Sequence, residues 1–216
     1  MTGLKKILFI LFLVCPFIGI KAQKEAGTST RTTVYEEYKP AKITLYNGKV
    51  IFQKEANIFL KDATLLFKNG KLDMKANMRT IQSVEFADRF YVKLDTLLAM
   101  VVDTLGGNRV LCATTVDMEA YAINELNNQV VSNLNFGGDQ VSVTRMETTA
   151  PEDRIYPLIN TYYFEIKGKI IKAHERTINR YLSKEKRNRL KFYMGMPEFD
   201  WGDKRTLRQV LELFEE

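Results

Sequence analysis

The sequence predicts an α+β fold: an antiparallel β-meander or roll of hairpins, followed by two or three C-terminal helices packed on the sheet. Three observations carry this. Asn-Gly dipeptides interrupt apolar runs at Asn47-Gly48 and Asn69-Gly70, apolar and polar residues alternate with a period of two from Lys42 onward, and after Ser183 the period becomes helical. Strands grouped ahead of helices, rather than interleaved with them, are the α+β order.

The chain opens on a segment of another kind. Lys5 and Lys6 precede an apolar run over residues 7–20, broken only by Pro16 and Gly19, and the small Ala22 stands before Gln23-Lys24-Glu25. A charged start, a short apolar stretch and a small residue at the cut form the secretory pattern. The run is short for a membrane-crossing helix, which takes about 20 residues. Residues 1–22 are therefore expected to be a signal peptide, removed on export to the periplasm or cell surface. The alternatives are an uncleaved anchor and a lipoprotein acylated at Cys15. Against the second, Val14 stands where a lipobox wants a small residue.

Removing residues 1–22 takes away Lys5, Lys6 and Lys21 but no acid, so the formal charge drops from +6 to +3. The basic balance belongs partly to the leader and is no nucleic-acid footprint, which needs cations clustered on one face. No later stretch reaches about 18 apolar residues, so no transmembrane helix is expected in the mature chain.

Residues 23–39 are Thr-rich, polar and aperiodic, and read as a flexible leader. Residues 40–216 read as a single α+β domain. Within it, Asn-Gly between apolar runs signals a hairpin, because both residues accept the positive φ of a type I′ turn. The device recurs after 22 residues, from Asn47-Gly48-Lys49 to Asn69-Gly70-Lys71. A looser copy is expected at Lys167-Gly168, and a further tight turn of different composition at Gly106-Gly107. Phe90, Val92 and Leu94 alternate with Tyr91, Lys93 and Asp95, and Tyr162, Phe164 and Ile166 alternate with Tyr163, Glu165 and Lys167. Such alternation marks sheet with one covered and one wet face. The wholly apolar residues 97–102 suit a central strand. The Asn- and Gly-rich residues 122–140 read as a long irregular connection.

In the C-terminal part, Ser183 is an N-cap for a helix carrying Leu190, Tyr193 and Met194, with Gly195 as its left-handed terminator before Pro197. Residues 178–182 suggest one further short helical turn. Leu207, Val210, Leu211 and Phe214 form one amphipathic stripe, capped by Asp200 or Asp203.

Few residues offer chemistry. The single histidine, His174, excludes His-based zinc cages and two-His protease motifs. The mature chain has one cysteine, Cys112, hence no internal disulfide. Its neighbours Val110, Leu111 and Ala113 place it in an apolar strand, the wrong setting for a reactive thiolate. Asp88, Asp95, Asp103 and Asp117 fall near strand ends, where aspartate usually makes turns. A glycosidase would need two of them about 5–10 Å apart. Gly106-Gly107 and Gly137-Gly138 lack the context that cradles phosphate. No catalytic, cofactor or metal residue is therefore assigned.

One cluster goes further. Arg180, Lys184, Arg187 and Lys191 are spaced to stack on one helical face, a candidate anion-binding patch. Tyr91 and Tyr163, expected on wet faces, are candidate carbohydrate platforms. The expected function is a non-enzymatic periplasmic or surface-associated binding or structural module. Its expected partner is an envelope protein or an anionic envelope surface, not nucleic acid. The alternative is a hydrolase that uses strand carboxylates on envelope or carbohydrate substrates. An outer-membrane barrel is disfavoured, since its strands run to about 9–11 residues and the chain ends in helices.

Overall fold

The computed structural model describes residues 27–128 and 155–215; the expected signal peptide and residues 129–140 of the expected loop lie outside them. The described residues are mostly antiparallel sheet with a few helices. In chain order the strands are β1 (Thr28–Ser29), β2 (Lys39–Leu45), β3 (Val50–Phe59), β4 (Thr64–Asn69), β5 (Leu72–Lys75), β6 (Ile81–Phe86), β7 (Phe90–Leu94), β8 (Leu97–Leu105), β9 (Asn108–Val116), β10 (Tyr156–Ile166) and β11 (Lys169–Lys172). The helices are α1 (Met118–Asn128), α2 (Glu175–Ile178), α3 (Lys184–Met194) and α4 (Lys204–Glu212). Spatially the strands run β1-β10-β9-β8-β7-β6-β2-β3-β4-β5, with β11 also on β10. Two meanders, β2–β5 and β6–β11, are thus joined where β2 pairs with β6.

The first half of this sheet curls into a roll. The turn after β3 reaches across to β8 and β9: the Ala63 carbonyl accepts from Leu98 N at 2.8 Å, and the Leu60 carbonyl accepts from Val116 N at 2.7 Å. Ala41 and Ile43 of β2, Ala56 and Ile58 of β3, Leu65 of β4, Val84 and Phe86 of β6, Tyr91 of β7 and Leu98 of β8 pack inside. Curling the sheet this way buries one face without a second layer, while β5 remains an edge exposed along its length.

Residues 27–38 correct the expected leader. They are folded: β1 pairs with β10, Val34 N donates to the Ile58 carbonyl at 3.0 Å, and Tyr35 is a 5 % exposed plug of the roll. Asn57, fully buried, fixes this segment. Its Oδ1 accepts from Tyr35 N (3.0 Å) and Ile58 N (2.8 Å), and its Nδ2 donates to the Tyr35 carbonyl (2.9 Å). Backbone and Asn57 hydrogen bonds hold the segment together with the packing of Val34, Tyr35 and Tyr38, which show no period in the sequence, so composition alone hides it.

All four expected hairpins form, but with different turn chemistry. Positive φ at both loop residues, the type I′ requirement, occurs at Gly106-Gly107 and Lys167-Gly168. At the Asn-Gly sites only the glycine is left-handed, φ 81° at Gly48 and 64° at Gly70. Gly48 N donates to the Leu45 carbonyl at 2.9 Å, so Tyr46-Asn47 turn first and Gly48 follows as a bulge.

α4 carries the helix packing. Leu207, Val210 and Leu211, all fully buried, share a cluster with Val110 of β9 and Phe164 of β10. α4 lies against β8 and β9, whereas α3 touches α4 and α2 touches β11. The expectation that all the helices pack on the sheet is narrowed accordingly. Ser183 and Asp203 cap α3 and α4, accepting from Lys186 N and Arg205 N. Gly195 is right-handed (φ −78°), so α3 ends without the left-handed residue.

Two further expectations change. α1 occupies residues 118–128, the first part of the expected irregular connection. Asp117 accepts from its Glu119 and Ala120 amides, and Tyr121 stacks on Tyr156 at 5.4 Å. Tyr91, expected in solvent, is 4 % exposed inside the roll. Val92 and Leu94 are buried on the other face, so both faces of β7 are covered and alternation no longer marks the wet side.

Candidate functional site

The four cations of the expected patch are all exposed, but they do not share one helix. Arg180 lies in the turn between α2 and α3. Its amide donates to the Thr177 carbonyl at 3.2 Å, and Ser183 starts α3 only afterwards. Lys184, Arg187 and Lys191 do share α3, at i, i+3 and i+7. Arg187 Nε donates to the Leu182 carbonyl at 3.0 Å, drawing that guanidinium back toward the helix start. None of the four forms an ion pair with a described carboxylate. Lys184 opens the helix, where the macrodipole disfavours a cation, so helix stability is no reason for its placement. Two exposed aromatics adjoin the patch in sequence: Tyr181 (50 %) after Arg180 and Phe192 (67 %) after Lys191.

A second place for a ligand lies on the inner face of the sheet. Strand register sets Tyr91, Met100, Cys112 and Tyr162 directly opposite one another across β7, β8, β9 and β10. Where α4 begins, a cleft of about 580 Å³ opens over this row, lined by Met100, Cys112, Thr114, Asn160, Tyr162 and Asp203. A second cavity of about 250 Å³ shares Met100, Cys112 and Thr114 and runs into the roll beside Tyr91.

The polar groups of the cleft are mostly engaged with one another. Thr114 Oγ1 donates to Asn160 Oδ1 at 2.7 Å, and Asp203 receives both the Arg205 amide at 2.8 Å and its guanidinium at 2.6 Å. Burial holds the Tyr162 phenol up at about 12, with Cys112 and the Asp203 and Asp200 carboxylates adding to it. Burial also pushes the Cys112 thiol up, the direction opposite to a reactive thiolate.

The four strand-end aspartates are brought to different tasks. Asp88 accepts from Tyr35 Oη at 3.1 Å and lies 3.8 Å from Lys39. Asp95 takes positive φ in the β7–β8 turn. Asp103 pairs with Arg208 at 2.7 Å, and Asp117 caps α1. His174 is exposed and caps α2, accepting from Arg176 N at 3.3 Å. Among the described residues no group of three or more His, Cys, Asp and Glu is placed to hold a metal ion, and no helix is long and apolar enough to cross a membrane. Tyr163, the other expected carbohydrate platform, is half-buried and packs against Leu111 and Ala113.

No protein family, curated protein or solved structure matches the chain. The inner-face row of Met100, Cys112 and Tyr162 escaped sequence reading because it is a product of register. The one signal for it was the alternation of β9, which puts Cys112 and Thr114 on the side of Val110.

Proposed function

We propose that the chain is an exported, non-enzymatic binding module, and that it engages an anionic surface of the cell envelope through the cations around α3. The observation that supports this is the patch of Arg180, Lys184, Arg187 and Lys191: exposed, without ion pairs among the described carboxylates, and flanked by exposed Tyr181 and Phe192. A face built only for solvation intersperses the two signs of charge. Here Glu175 and Glu185 are the nearby acids. Aromatics beside cations suit the boundary between an anionic surface and water.

The test is sedimentation with anionic vesicles or lipopolysaccharide at low and high salt. Lys184→Glu/Arg187→Glu should bind several-fold less at low salt, with the difference shrinking as the Debye length falls below about 10 Å. Binding by the variant equal to wild type at every salt concentration would remove the patch from the function. For localisation, the N-terminus of the exported product is expected at or near Gln23.

A further inference from the structure

We propose that the tips of the β2–β3 and β4–β5 hairpins form a separate docking site, which seats on and partly enters the headgroup layer of an anionic lipid bilayer. This rests on the anionic-surface reading above and names the surface as lipid.

The geometry begins with register. β2, β3, β4 and β5 are successive antiparallel neighbours, so the turns at Asn47-Gly48 and Asn69-Gly70 lie at the same end of the sheet. β4 pairs only with the later part of β3, from Ala56↔Phe67 to Phe59↔Thr64. Residues 50–52 therefore project past the pairing with β4, held by β2 on one side and by no strand on the other among the described residues, while Gln53 at their base still reaches β4, its Nε2 donating to the Lys68 carbonyl at 3.2 Å.

This projecting end is where apolar surface collects. Phe52 is 76 % exposed, Leu72 68 % and Tyr46 59 %, and Val50, Ile51 and Met74 are exposed as well. These are six of the twelve exposed large hydrophobics among the described residues, drawn from one short part of the chain. Single exposed hydrophobics are ordinary, whereas a collection at one end marks an interaction site.

Charge selects the partner. From residue 39 to residue 75 the chain carries eight lysines against Glu55, Asp62 and Asp73, a formal net charge of +5. Lys39, Lys42 and Lys75 are paired with Asp88, Glu85 and Asp62. Lys49 and Lys71, one in each turn, form no ion pair with a described carboxylate. A lysine stem can lie along apolar surface while its ammonium reaches a phosphate, and an apolar tip ringed by such cations matches an anionic interface.

The two faces of the tip favour a bilayer over a protein. Ile51 stands opposite Ile43, whose side chain faces the roll interior, and the neighbouring Phe52 stands opposite Lys42 on the outer face. A protein partner would cover one face; a lipid layer surrounds both. The one open edge of residues 50–52 limits the depth, since bare amides are costly in hydrocarbon.

The deciding experiment is pelleting with phosphatidylcholine vesicles, with and without phosphatidylglycerol, at low and high salt. It compares wild type, Phe52→Ser/Leu72→Ser, Lys49→Glu/Lys71→Glu and Lys184→Glu/Arg187→Glu, with melting curves to verify folding. Wild type should pellet with the anionic vesicles and not with the neutral ones. Phe52→Ser/Leu72→Ser should lose roughly tenfold or more in partitioning at both salt concentrations, because buried apolar area is not screened. Lys49→Glu/Lys71→Glu should lose binding chiefly at low salt. If both tip variants pellet like wild type, the tip proposal is overturned, and loss in the α3 variant would then leave the α3 reading standing alone. If instead the α3 variant pellets like wild type while the tip variants fail, the tip stands and the α3 patch falls. Wild type that ignores anionic vesicles but self-associates through Phe52 and Leu72 would overturn the proposal in favour of an interface between copies.

Discussion

At the β8–β9 end of the sheet the apolar side chains are covered; at the β2–β3 end they stand in solvent. Val110 and Phe164 lie under Leu207, Val210 and Leu211 of α4, with Phe214 against Phe164 at 6.4 Å. Val50, Ile51 and Phe52 come from a strand of similar composition, yet no helix crosses them among the described residues. The difference lies in the next element of the chain. The second meander is succeeded by an amphipathic segment that folds back on it, whereas the first is succeeded by another strand. An alternating apolar strand therefore does not by itself declare a core. It declares a surface needing a partner, and the position of the succeeding element decides whether that partner is internal.

The contrast can be broken most sharply at Leu211. Leu211→Ala empties a fully buried site and should cost about 2–5 kcal/mol, read from denaturant unfolding. Phe52→Ala, an equally apolar truncation at the bare end, should stay within about 0.5 kcal/mol. Equal losses at the two sites would show that the projecting tip is buried in solution.

Next in size is Asn57. Asn57→Ala strips Tyr35 N, the Tyr35 carbonyl and Ile58 N of a partner, and an unsatisfied buried group costs about 1–3 kcal/mol. Hydrogen exchange should then quicken at residues 32–35 before it does so in α4. Simultaneous loosening of both would mean that the roll and the helix-covered end are one cooperative unit.

Asp203→Ala removes the α4 cap and should cost about 1 kcal/mol, lowering the melting temperature without altering vesicle binding.

The smallest effect concerns pH. The folded state holds Tyr162 protonated up to about 12, against an ordinary value of 10.0. Its contribution is fully present below pH 10 and is lost as pH rises toward 12. Melting temperature should be level across neutral pH and fall above 10, less steeply in Tyr162→Phe; an identical alkaline slope in that variant would acquit Tyr162.

Several local signals were legible, though Gly195, the type I′ form of the Asn-Gly turns and the helix over 118–128 were not. Ser183 and Asp203 cap their helices, the four hairpins turn where Gly or Asn-Gly stands, and the stripe of α4 is buried. What distant contacts decide was not legible. The Ala63–Leu98 bond that closes the roll joins residues with no shared pattern, and Tyr91 is buried because the sheet curls over it. The basic patch shows the same division. Its composition is plain from the sequence, but Arg180 falls off the helix because Ser183 supplies a better start. The exposed tip was hidden for a related reason: Phe52 and Leu72 read as ordinary strand residues until the ends of β4 are known.

The pairing of Thr28 and Ser29 with Pro157 and Tyr156 sets an order on assembly. Contacts between residues so far apart in the chain form slowly, because loop closure precedes any gain. β1, the first strand to be synthesised, therefore waits for β10 before it can pair, whereas Tyr35 needs only β3 and β6. Until then the sheet lacks its first edge strand, and the start of the folded part remains pliable. On the export proposed above, that delay would help, since a fold that completes itself early is harder to draw through a narrow channel.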